Sequence, residues 1–142
     1  LEEDLYFGGL PRLHVNVNTA TVGGQIYALL EDCDGANCIH IGHAIMDLRY
    51  HAGGNDEQTW TPVFEEITAL MEFFPMDVEV PAGHTIKLTL RSTGEDYLPS
   101  AASTLVTVVD AGSTLQFDTF DPETREYYQT VMCTAQICKD SL

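Results

Sequence analysis

Basic residues are scarce: 6 Lys and Arg stand against 22 Asp and Glu, a formal charge of -16 over 142 residues. A chain this acidic repels phosphate backbones and anionic lipid, and Arg12, Arg49, Lys87, Arg91, Arg125 and Lys139 are too scattered to build a patch, so nucleic acid is excluded as a partner. Long apolar runs are also missing. Charge or Gly interrupts every stretch well short of the roughly 20 apolar residues that a membrane-spanning helix needs, so no span is expected. The opening LEEDLYFGGL lacks the basic-then-apolar order of a secretory signal, from which an export signal is expected to have been removed or to lie in a longer parent chain. No G-x-S-x-G surrounds Ser92, Ser100, Ser103, Ser113 or Ser141, and a hydrolytic triad is therefore not expected. His84 is the tempting base, but at the head of a strand a polar ring more often hydrogen-bonds the backbone.

What is present is alternation. Leu13, Val15 and Val17 face one way and His14, Asn16 and Asn18 the other, the period-2 pattern of a half-buried strand. Ile26, Ala28 and Leu30 repeat it, CDGANC turns the chain, and a second apolar segment runs from Ile39 to Tyr50, which reads as a hairpin. HAGGNDEQ, 51–58, is an expected loop. Between Thr61 and Val80 helix and strand compete, with strand favoured for at least the second half. Ile86, Leu88 and Leu90 alternate with Lys87, Thr89 and Arg91 after a Pro81-Ala82-Gly83 turn. STGEDYLPSAAS reads as loop, and TLVTVVD and STLQFDTF are expected to form a hairpin about Ala111-Gly112. The tail from Asp121 opens like a capped helix yet carries β-formers, so its class stays open. Six to nine short strands with at most one short helix predict an all-β antiparallel sandwich in a chain long enough for a single core.

Four cysteines form two equally spaced pairs, Cys33 with Cys38 and Cys133 with Cys138. This spacing favours local disulfides over a zinc knuckle or free thiols, and hence an oxidising compartment, extracellular or at the cell surface. Asp32, Asp34 and Asn37 resemble part of a calcium loop, but the later bidentate Glu is missing and an Asp-Gly hairpin accounts for the same letters; calcium is the one ion this reading names, and no cofactor is expected. His40, His43 and His51 with Asp47 offer transition-metal ligands. Strand parity disfavours them, because His40 and His43 point to opposite faces unless Gly42 makes a bulge. Trp60, Tyr50, Tyr97, Tyr127 and Tyr128 are the aromatic candidates for stacking on a ligand such as a sugar ring, Trp60 and Tyr97 foremost.

LEEDLYFGGLPRLHVNVNT, then AIMDLRY, then MDVEVPAGHTIKLTLRST, and finally TLVTVVDAGSTLQF resembles, in order, the C-terminal jelly-roll domain of the X-Pro dipeptidyl-peptidase and cocaine-esterase family of serine hydrolases. VPAGHTIKLTLRST is its most specific element. The resemblance runs over residues 1–118 and leaves 119–142 as an extension without a family counterpart. It implies a galactose-binding-like β-sandwich, non-catalytic in itself, whose partner is the α/β-hydrolase catalytic domain of the parent chain. The domain would stabilise that partner and wall part of the substrate entrance. The alternative is a free-standing extracellular module for carbohydrate or another ligand.

Overall fold

A computed structural model describes residues 1–51, 62–94, 97–98, 105–124 and 126–133, with backbone alone at Asp110 and over 127–133. Its eight strands are β1 (Leu5–Thr19), β2 (Gln25–Asp34), β3 (Asn37–Asp47), β4 (Glu66–Glu72), β5 (Met76–Val80), β6 (Thr85–Arg91), β7 (Val106–Phe120) and β8 (Tyr127–Cys133). Leu48–Tyr50 makes a single 3-10 turn, capped by the Asp47 carboxylate, which accepts from Arg49 N. β4, β1, β7 and β8 form one antiparallel sheet, in which β5 also pairs with β1; β3, β2 and β6 form the other. The fold is an all-β sandwich of two antiparallel sheets.

The alternation in the sequence is what joins the layers. Leu13, Val15 and Val17 of β1 and Ile67, Ala69 and Met71 of β4 are buried against Ile26, Ala28 and Leu30 of β2. Phe7 and Phe117 meet in the same core with ring centroids 4.9 Å apart. EEITALMEFF is strand from Glu66 and does not take up the helical alternative, because Ile67, Ala69 and Met71 fill one face at period two beside β1.

Two expectations are changed or completed. The hairpin expected at Ala111-Gly112 does not form: β7 runs through it, paired with β1 on both sides. His14 pairs with Thr114 and Asn16 with Val109, so residues 110–113 bulge opposite Val15 alone. Gly112 supplies the left-handed φ of 79°, and Asn16 fills the bulge, its Nδ2 donating to Ala111 O at 2.9 Å and its backbone N–H to Ser113 Oγ at 3.0 Å. The same letters suit a turn or a bulge, and Asn16, nearly a hundred residues away in sequence, decides between them. The described part of the open tail is a turn and a strand: Asp121 Oδ1 accepts from Glu123 N at 2.8 Å in a local turn, and β8 then pairs with β7, while 134–142 lie outside the described residues.

Candidate functional site on the outer face of the three-stranded sheet

Even-numbered residues of β2 face the core, so Tyr27, Leu29, Glu31 and Cys33 line the opposite face. The register brings Arg91, Thr89, Lys87 and Thr85 of β6 beside them on one flank. On the other flank, β3 does not keep strict alternation. Gly42 pairs with Leu30 but His40 pairs with Glu31, which leaves Ile41 as an extra residue. That bulge puts His40 and His43 on the same outer face, the exception that strand parity allowed.

The two imidazoles touch. His43 Nδ1 lies 3.2 Å from His40 Nε2, and His43 Nε2 lies 3.2 Å from the Tyr97 hydroxyl. Tyr27 stacks on His43 with centroids 5.6 Å apart, Tyr97 leans on both rings, and Phe74 meets His43 edge-on at 5.3 Å. Phe74 comes from the segment that joins β4 to β5, so the cluster links β3 to the other sheet. Tyr97 is held in turn by the loop after β6, where Thr93 Oγ1 donates to Tyr97 O at 3.0 Å and Gly94 presses against the Tyr27 ring. The cluster opens to solvent at Phe74, 61% exposed, and beside it Leu98 is 90% exposed.

Next along this face, Glu31 accepts from Lys87 Nζ at 3.1 Å and from Thr89 Oγ1 at 3.2 Å. The Lys87 ammonium foremost, with the Thr89 hydroxyl, holds the Glu31 carboxyl below the usual range. At the far end Cys33 and Cys38 are joined, S–S 2.09 Å, across the hairpin next to its turn. Gly35 at φ 58° provides the left-handed position of the tight turn.

The calcium candidates divide. Asp32 is buried on the core side and its Oδ1 lies 2.8 Å from His84 Nδ1, while Asp34 and Asn37 pair with each other at the exposed hairpin end. Among the described residues no group of three or more His, Cys, Asp or Glu is placed to hold a metal ion. His84 therefore bonds a carboxylate where a backbone partner was expected. His51 Nδ1 lies 2.8 Å from Leu48 O at the 3-10 turn. Tyr97 is in the cluster, whereas Trp60, the Cys133 side chain and Cys138 lie outside the described residues. Tyr27 and Phe74 were not singled out in the sequence: Tyr27 reads as one more apolar strand residue, and nothing local marks Phe74 as a neighbour of His43.

Residues 1–129 match the family described as the X-Pro dipeptidyl-peptidase C-terminal non-catalytic domain. The chain belongs to this family. The matched range takes in β7, the turn after it and the first residues of β8. No curated protein matches the chain. Among solved structures, an aminopeptidase from a marine sediment archaeon, Thaumarchaeota archaeon, is similar with a TM-score of 0.71 and 12% identity over 85% of this chain and 24% of that one. A CocE/NonD family hydrolase from Staphylococcus aureus is similar with a TM-score of 0.61 and 11% identity over 66% of this chain and 21% of that one. At such identities the likeness is one of fold, and the chain spans under a quarter of either length. Among the described residues no helix is long and apolar enough to cross a membrane.

Proposed function

We propose that this chain is the accessory β-sandwich of an X-Pro dipeptidyl-peptidase-like serine hydrolase, which stabilises an α/β-hydrolase catalytic domain and shapes access to its active site. The match of residues 1–129 to a non-catalytic domain carries the reading. Two similar structures, one described as an aminopeptidase and one as a CocE/NonD family hydrolase, of which this chain covers 24% and 21%, support it. Phe74 and Leu98, apolar and exposed beside the aromatic cluster, are side chains suited to meet such a neighbour. The alternative carbohydrate module draws no support from Tyr97, whose hydroxyl is taken by His43 and whose ring packs on Tyr27. The Cys33–Cys38 bridge supports an extracellular setting.

The test has two arms. The purified 142-residue chain is offered Ala-Pro and Gly-Pro chromogenic amides with and without an active-site serine inhibitor. No turnover is expected, and inhibitor-sensitive turnover by a homogeneous chain refutes the non-catalytic assignment. In the parent enzyme, Phe74→Asp together with Leu98→Asp is expected to lower the melting temperature and kcat/KM, and a parent chain without an α/β-hydrolase refutes the accessory role.

A further inference from the structure

We infer that His40 and His43 form a two-imidazole binding site for a first-row divalent transition-metal ion, zinc or copper. The inference stands apart from the accessory role. Its basis is the bite of the pair. Two nitrogens bonded to one ion at about 2.05 Å stand about 2.9 Å apart at a right angle and about 3.3 Å apart at the tetrahedral angle. His40 Nε2 and His43 Nδ1 are 3.2 Å apart. The Ile41 bulge sets this spacing by putting both rings on one face.

The surroundings hold one ring as a ligand has to be held. A metal-bound imidazole usually donates its other ring N–H to a fixed acceptor, which sets tautomer and orientation. His43 Nε2 has that acceptor in the Tyr97 hydroxyl, while Tyr27 and Phe74 restrain the ring from its face and edge. Without metal, one proton bridges the two facing nitrogens. With metal, the ion lies off the line between the two nitrogens at about 2.05 Å from each, and the proton moves to the outer nitrogen of the same ring, so neutral imidazoles release none. The net charge of -16 concentrates cations at the surface. Glu31, opposite His40 in register, is occupied by Lys87 and Thr89, and among the described residues no third His, Cys, Asp or Glu completes the set. Two protein nitrogens leave the other positions to water, and imidazole ligation selects zinc, copper or nickel over calcium and magnesium.

Zinc is titrated into the disulfide-bonded 142-residue chain by calorimetry at about pH 7.5 and about pH 5, with NMR of the histidine ring protons, because ligating imidazoles must be neutral. One zinc per chain is expected, moving the His40 and His43 resonances and lost at the lower pH. His40→Ala, at an exposed position, is expected to weaken binding at least tenfold; His14→Ala on the other sheet leaves it unchanged. Tyr97→Phe removes only the orienting hydroxyl and is expected to weaken it about tenfold. No saturable binding at the higher pH, or unchanged affinity in a folded His40→Ala chain, overturns the inference.

Discussion

Gly94 and Gly42 pose the same steric question with different neighbours. A methyl group added at Gly94 would stand 2.4 Å, 2.5 Å and 2.7 Å from Cε2, Cζ and Cδ2 of the Tyr27 ring. Carbon atoms pack at about 3.5–4.0 Å, so ring or loop must move by more than about 1 Å. The ring has little freedom, being 5% exposed and held by His43 and Tyr97. A methyl group at Gly42 would meet Met76 Cε at 2.3 Å, nominally a worse clash, but at the end of an unbranched side chain that can rotate away.

Overpacking against rigid neighbours costs about 1–3 kcal/mol, and loss of glycine's freedom in the unfolded chain returns about 0.4–1 kcal/mol at positions whose backbone suits alanine. Neither glycine has a left-handed φ. Gly94→Ala is therefore expected to destabilise the chain by about 1–2 kcal/mol, or roughly 3–8 °C in melting temperature, and Gly42→Ala by less than about 1 kcal/mol. Urea unfolding of both variants against the parent is the assay, with the Tyr97 ring resonances reporting whether the cluster has opened. If Gly42→Ala proves as costly as Gly94→Ala, ring rigidity is not what decides, and the account of how this loop seats the cluster fails.

Replacing Cys33 and Cys38 by Ser should cost about 2 kcal/mol, since the bridge closes only a short loop; a thermal scan with and without reductant checks it. Truncating Phe117 to Ala should cost about 3–5 kcal/mol in urea unfolding, because it removes the partner of Phe7 from the buried layer. The folded-state pKa values of Glu31, Asp47 and Asp121 lie below their ordinary values of 4.5, 3.8 and 3.8, through Lys87, Arg49 and the Glu123 amide respectively. Their contribution is complete above those ordinary values and lost as pH falls through the lowered ones, so unfolding free energy should hold to about pH 5 and decline below about pH 4. Lys87→Met should make the decline shallower.

The face that a strand buries could be read from its letters wherever the strand is regular. Leu13, Val15 and Val17 are buried as the alternation requires, and the Asp-Gly turn with flanking cysteines gives the β2–β3 hairpin and its bridge. Reading fails at the irregularities. Gly112 with its small neighbours suits either a hairpin or a bulge, and the bulge is held by bonds from Asn16, far away in sequence, to Ala111 O and Ser113 Oγ. The site is less legible still, since His40 and His43 are visible as residues while their common face depends on Ile41, an ordinary apolar residue. Tyr27, Phe74 and Tyr97 come from three separate segments, and no local pattern ties them together.

The bulges also account for how one chain keeps a dry core and a decorated exterior. With two-residue periodicity throughout β3, the core-facing set of Ala44 and Gly42 would continue to His40, placing an imidazole on the side of Ala28 and Leu30. Burying that ring without a partner would cost more than the ladder bonds lost at one bulge. The extra residue at Ile41 exchanges the faces, sends His40 outward beside His43, and aligns Cys38 with Cys33 on the same outer side. β1 shows the same economy, where Gly9, Leu10 and Pro11 stand opposite Phe117 between two regular ladders, and Pro11 occupies an irregularity that does not require its missing N–H. In both strands the interruption preserves the burial pattern on either side of itself, which is why the imidazole cluster sits on the sandwich without disturbing the layer beneath it.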